Sequence, residues 1–254
     1  MPVGNILMTS PATAERSSDS KLGSFSREGI AVVFGSGGGI GSALVSSLLA
    51  ERHFKGVIGL SRTSAIPIDL LDEASLERAV EVAAASGEIR LAIDGTGFLS
   101  NTDQRPEKSW RELDPQRLAR AFAINATGPA LLMKHLLPRL PRSGKSVFAT
   151  LSARVGSIGD NRLGGWYAYR ASKAALNQIV HTTAIELARR APDALCISVH
   201  PGTVATPLSA SFAKPGPNVV APDQAAQNLL TVLNRLGAAN SGGFFDWQGA
   251  EIPW

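Results

Sequence analysis

Two hydrophobic patterns alternate along the chain from Gly29 onward, short β-branched runs and longer segments of helical period. This is the alternation expected of βαβ units and a parallel sheet. The runs at 30–34, 57–60, 91–94, 146–151 and 195–199 predict strands. Between the first two, Ile40, Leu44, Val45, Leu48 and Leu49 fall on one helix face, so a helix starts inside the glycine stretch. A second helix is predicted over 73–85, with acidic residues in its first turn and Gly87 beyond its end. A third, over 115–137, stops at Pro138, and a fourth covers about 167–190. A fifth runs from Pro222 to about 236 and ends at Gly237. Residues 29–254 contain no internal repeat and no break in composition, so one doubly wound α/β domain is expected. Residues 1–28, rich in Ser, Thr, Ala and Pro, read as a flexible N-terminal extension.

Composition narrows the function classes. With 44% apolar and 18% charged residues among 254, the chain can bury a sizeable core without metal or disulfide support. The net charge of +4 comes without a dense Lys/Arg run interleaved with aromatics, which argues against nucleic acid and leaves a small anionic ligand as the easier partner. The single cysteine, Cys196, excludes an internal disulfide, fits a reducing compartment and sits in an apolar run expected in the core. No stretch reaches the length of a membrane span and no secretory pattern opens the chain, so a cytoplasmic protein without membrane attachment is expected. His53, His135, His181 and His200 lack metal-ligand spacing, and no metal site is expected.

The stretch FGSGGGIG at 34–41 follows the first strand. Glycine after a strand serves phosphate cradles, and the spacing distinguishes them. A P-loop needs Lys then Ser/Thr after its last glycine, and Gly41-Ser42 supplies no Lys. The GxGxxG rule would need glycine at Ile40 or at Ser42. What remains is Gly35-x-x-x-Gly39-x-Gly41, with Gly37 and Gly38 in variable positions. Downstream, Tyr169 and Lys173 stand four apart on the fourth helix and share its face. An ammonium beside a phenol favours the phenolate, so the tyrosine's pKa is expected below its usual value of about 10.

The glycine spacing resembles the TGxxxGxG fingerprint of the short-chain dehydrogenase/reductase family, with Phe34 in place of its Thr, and YxxxK resembles that family's catalytic pair. The resemblance covers about nine tenths of the chain, and the segment 152–177 and the ending 244–254 look like the C-factor-like or carbonyl-reductase-like branch. It implies a Rossmann-like domain in which Tyr169 exchanges a proton with the substrate oxygen while hydride moves to or from nicotinamide, and Lys173 holds the nicotinamide ribose. Asn125 matches the family asparagine that holds a water near the lysine. The family's substrate-polarising serine falls on Ala153; Ser152, one residue earlier, is the candidate, with Ser157 behind it. Gly35, Ser36, Gly37, Gly39, Ile40 and Gly41 are expected to hold the cofactor's pyrophosphate side. Asp69 and Leu70 resemble the pair closing over adenine, while Gly95-Thr96-Gly97, after Asp94, replaces the family's NAG turn. Pro201, Gly202, Thr203, Val204 and Thr206 resemble the turn beside the nicotinamide.

The second strand ends in Ser61-Arg62 without the acidic residue that NAD users carry, so NADP(H) is expected ahead of NAD(H). Two function classes stay open: a reductase or alcohol dehydrogenase acting on a small carbonyl or alcohol, with 207–220 as a lid, and a cofactor-binding signalling protein. The family also implies a homodimer or homotetramer.

Overall fold

The computed structural model describes residues 21–100, 105–210 and 219–254. Strands β1 (Ile30–Phe34), β2 (Gly56–Leu60), β3 (Ile89–Asp94), β4 (Ser146–Leu151) and β5 (Ala194–His200) lie where the β-branched runs predicted them. A short pair, β6 (Thr203–Val204) and β7 (Val219–Val220), forms a separate ribbon, and β8 (Phe244–Asp246) completes the main sheet in the order β2-β1-β3-β4-β5-β8. All five pairings of that sheet are parallel, so every strand ends at the same edge. The order reverses between β1 and β3, and in such sheets the crevice outside the strand ends at that point receives ligands. β8 went unforeseen because three residues are too few to show a period.

Helices cover both faces. On one side α1 (Gly39–Glu51) and α6 (Pro222–Arg235) pack against Ala31, Val33, Ala149 and Ile197. On the other, α2 (Glu73–Ser86) and the helices that carry Leu132 and Leu176 pack against Val32, Ala92, Phe148 and Cys196. The predicted third helix is interrupted: α3 (Pro115–Phe122) runs through a π turn at Ala123–Thr127 into α4 (Gly128–Leu136). The fourth prediction is α5 (Tyr167–Arg190), the longest helix described.

The packed domain begins before Gly29, which corrects the expected boundary of the flexible extension. Leu22 and Phe25 are buried among core residues of the α1 side. Phe25 meets Phe54 at 5.6 Å between ring centroids. Lys145 holds this arm in place: its Nζ lies 4.6 Å above the Phe25 ring and donates to Ser24 Oγ at 2.9 Å. The same ammonium donates to the carbonyls of Leu233, Asn234 and Leu236 at 2.7–2.8 Å, satisfying groups that the end of α6 would leave orphaned. Residues 1–20 of the expected extension, and 211–218 of the expected lid, lie outside the described residues. Among the described residues no helix is long and apolar enough to cross a membrane.

Replacing Lys145 by Met keeps the stem and removes the donors to these carbonyls. The expected outcome is a loss of about 2–3 kcal/mol in unfolding free energy, read from urea denaturation, with an unchanged far-UV spectrum.

Candidate active site

The edge where the parallel strands end is built first by backbone contact. Gly35 takes φ +79° at the end of β1, a left-handed conformation open to glycine, and a Cβ there would lie 3.0 Å from the Gly95 carbonyl carbon. At Gly41 a Cβ would stand 2.2 Å from the Gly35 carbonyl oxygen, an impossible separation, so only glycine lets α1 start this close to β1. Gly37 is freer: its Cβ would be 3.5 Å from Ser61, consistent with a variable position. Gly38 caps α1 without a side-chain hydrogen bond, and no acidic residue occupies the first turn. The N–H groups and positive end of a 13-residue helix therefore point at the crevice. Ser36 lies over β2, within 3.2 Å of where a Cβ on Gly59 would be.

From the glycines a chain of contacts leads to α5. Asp94, buried at the end of β3, accepts from Thr96 N at 3.0 Å, Thr96 Oγ1 at 2.5 Å and Thr150 Oγ1 at 2.7 Å, which ties β3 to β4. A Cβ on Gly97 would lie 3.6 Å from Asn125 Oδ1 and 3.7 Å from Lys173 Nζ, so this turn touches both. Asn125 sits in the π turn, a local widening often found at functional sites. Its Oδ1 accepts from Phe98 N at 2.7 Å, and its Nδ2 donates to Phe98 O at 2.8 Å and Ser172 Oγ at 3.1 Å. The side chain is thus spent on fastening the loop after β3 to α5, where the family resemblance implies that it holds a water.

Tyr169, Lys173 and Asn177 follow at four-residue steps on one face of α5. Lys173 is buried, and its Nζ donates to Leu151 O at 2.8 Å. Burial pulls its pKa down to about 8, opposed by the charge of Asp94. Tyr169 is half-buried, and desolvation pushes its phenol up to about 12. This reverses the expected lowering: the ammonium is turned onto the Leu151 carbonyl, and the loss of water around the phenol outweighs its neighbour's charge. Trp166 stands edge-on to Tyr169 with centroids 6.2 Å apart and takes φ 55°, a strained conformation for a tryptophan. Glu107 fixes that entry into α5, its backbone oxygen accepting from Trp166 N at 2.5 Å and its Oε2 from Ala168 N at 3.2 Å.

A cavity of about 460 Å³ opens beside the phenol. Ile40 in the first turn of α1, Ser152, Ala153, Tyr169, His200, the turn Pro201–Val204 and Thr206 all face it. Thr206 also meets the glycine loop, its Cγ2 2.9 Å from where a Cβ on Gly39 would stand. Ser152 is present in the cavity wall, but its Oγ donates to Asn177 Oδ1 at 2.7 Å. Ser157, the reserve candidate, donates instead to Pro253 O at 2.5 Å.

Ser61, Arg62, Asp69 and Leu70 do not line this cavity; they lie beyond the ends of β2. Arg62 is exposed, and among the described residues no carboxylate pairs with it. Asp69 Oδ1 accepts from Leu71 N at 2.9 Å, and Leu70 packs where a Cβ on Gly128 would come within 2.7 Å. Sequence reasoning missed Asn177, Glu107, Arg154 and His200. Only Asn177 carried a signal, its four-residue spacing from Lys173.

The family model described as enoyl-(acyl carrier protein) reductase matches residues 25–238. Among curated relatives, the C-signal protein of Myxococcus xanthus is 38% identical over 143 residues, 56% of this chain and 82% of that protein. A 1-hydroxy-2-glutathionyl-2-methyl-3-butene dehydrogenase of a Rhodococcus species is 32% identical over 185 residues, 72% of this chain and 78% of that protein. Of solved structures, the NADPH-bound carbonyl reductase from chicken fatty liver superposes with a TM-score of 0.79 at 23% identity, over 90% of this chain and 95% of that one. The carbonyl reductase Sniffer of D. melanogaster gives 0.76 at 23% identity, over 89% and 99%. These two likenesses speak for the fold, while the family match and the Rhodococcus relative carry descent. The chain belongs to the short-chain dehydrogenase/reductase family of oxidoreductases, with the C-signal protein among its relatives.

Proposed function

We propose that the protein is an NADP(H)-dependent carbonyl reductase, or in the reverse direction an alcohol dehydrogenase. The observation that carries this reading is that Tyr169 faces one cavity together with Ile40 at the start of α1 and the Pro201 turn, while buried Lys173 lies one helical turn behind it. The glycine cradle suits a dinucleotide: Gly35 and Gly41 let the turn after β1 close tightly, so that the uncapped end of α1 is offered to a pyrophosphate. Arg62, exposed and without an acidic partner among the described residues, together with Ser61, suits a 2′-phosphate. Thr96, Gly97, Thr203, Val204 and Thr206 would flank the cofactor on either side of Lys173, and Asp69 and Leu70 would close over its adenine. The bound dinucleotide supplies or accepts the hydride.

The residues of the chain manage the proton. Tyr169 keeps its proton across the physiological range because burial holds it at about 12, and it gives that proton to the substrate oxygen as charge develops there. Lys173 carries the positive charge that stabilises the resulting phenolate, and Asn125 keeps the loop at Gly97 within reach of that ammonium. Because the lysine's pKa is depressed to about 8, its charge is present below that pH and lost above it. Ser152 serves this arrangement through Asn177, as a brace between β4 and α5.

A second reading, a signalling protein that binds the cofactor without turnover, is favoured by the 38% identity to C-signal and by Ala153 at the serine position.

The deciding measurement follows NADPH absorbance with a panel of aldehydes, ketones and quinones. The reductase reading expects turnover that falls by at least about 100-fold in Tyr169→Phe with NADPH affinity kept. Cofactor binding without turnover on any substrate would sink the reductase reading. Over pH 6–10, kcat/KM for reduction is expected to fall as pH passes about 8, and Lys173→Arg should carry that limb upward. Gly41→Ala is expected to abolish NADPH binding in a fluorescence titration, since its methyl group has no room. Arg62→Glu should weaken NADPH at least about 10-fold and leave NADH nearly unchanged, the two titrations deciding cofactor preference.

A further inference from the structure

Reduction of a carbonyl places growing negative charge on its oxygen, which calls for a second hydrogen-bond donor beside the tyrosine. Ala153 cannot provide one, and among the described residues the cavity's other buried or half-buried donors are engaged, the Thr206 hydroxyl with Ser209 Oγ at 3.3 Å. Ser152 donates to Asn177, Ser209 to the carbonyls of Val204 and Thr206, and Arg170 to Gly165 O at 2.9 Å and Val155 O at 3.1 Å. Arg154 bridges Asp160 at 3.1 Å and Asp246 at 3.3 Å. Arg162 and Thr203 stand exposed in the wall, where water competes for them.

His200 is different. It ends β5 beside Asp246 of β8 and lines the same cavity as Tyr169 and Ala153. Its Nδ1 is sealed from water without a hydrogen-bond partner, and among the described residues none bonds to Nε2 either. With Nδ1 enclosed, Nε2 is the nitrogen left open to a ligand. A proton on Nε2 leaves the enclosed nitrogen as a bare lone pair and turns the ring's N–H outward. Burial, with Arg154 nearby, pulls the imidazole's pKa to about 4 despite Asp246, so the ring is uncharged at neutral pH. An uncharged imidazole can donate to a carbonyl oxygen without handing over its proton, which leaves proton transfer to Tyr169.

We propose that the His200 imidazole donates a hydrogen bond from Nε2 to the substrate's carbonyl oxygen, taking the place of the hydroxyl missing at Ala153. This rests on the reductase reading above. It makes His200 a catalytic residue in contact with substrate, and it explains how the cavity can act without the serine.

The test uses NADPH-dependent turnover of the carbonyl compound that the parent protein reduces best. His200→Leu keeps bulk and removes the donor, and is expected to lower kcat about 100-fold or more with NADPH affinity within about two-fold. His200→Gln keeps an amide donor and should stay within about ten-fold of the parent. The decisive arm adds Ala153→Ser to His200→Leu: a hydroxyl restored in the same wall should recover at least about ten-fold of the lost kcat, which a packing role for the ring would not allow. Should His200→Leu fail to fold by thermal unfolding, His200→Asn, with its donor drawn back by the shorter side chain, takes its place under the same rescue. Parental kcat in His200→Leu, or equal losses in both variants with no rescue by Ala153→Ser, overturns the proposal while leaving the reductase reading intact. A parent that binds NADPH and reduces nothing overturns both.

Discussion

An ammonium sealed beneath a helix organises this molecule. Lys173 is buried, and its ammonium donates to the carbonyl of Leu151, the last residue of β4. A buried charge is tolerated only where partners and nearby opposite charge offset its desolvation, and Asp94 at the end of β3 supplies that charge. The helix is thereby held at a set height over the strand ends, and whatever stands four residues away is placed with it. Tyr169 on one side meets the cavity, and Asn177 on the other receives the Ser152 hydroxyl.

The same bond accounts for the character of the phenol. A lysine one helical turn from a tyrosine lowers its pKa only if the ammonium faces the ring with little between them. Here the ammonium is directed to a carbonyl, so desolvation sets the balance and the tyrosine holds its proton. On the proposed reading, a phenol held in this way is suited to giving a proton rather than taking one, as carbonyl reduction requires. Trp166 in a left-handed conformation, pinned through Glu107, adds a rigid wall beside the phenol.

Members of one family can share a glycine cradle and a Tyr-Lys pair and still differ in what surrounds the substrate, because function resides in sites rather than folds. In this chain residues between 152 and 163 form much of the cavity wall. The hydroxyls of Ser152 and Ser157 serve as internal braces, and Trp254 O accepts from Gly159 N at 2.7 Å, so the C-terminal residues fasten the loop that borders the cavity.

Local pattern determined much of the architecture. The β-branched runs at 30–34 and 146–151 became strands with those bounds, and the spacing of Gly35, Gly39 and Gly41 is enough to exclude two other cradles. These features are legible because side-chain period and glycine's conformational freedom act within a few residues. The three-residue β8, the π turn at Asn125 and the burial of Leu22 and Phe25 are not, since each depends on partners distant in sequence. The same holds for the chemistry. YxxxK could be read as a shared helix face, but whether the lysine faces the tyrosine or a carbonyl, and which hydroxyls remain free, was decided by the packing of α5 on the sheet. Hydrogen bonds and desolvation belong to the assembled site, and no single stretch of the chain contains both halves of either.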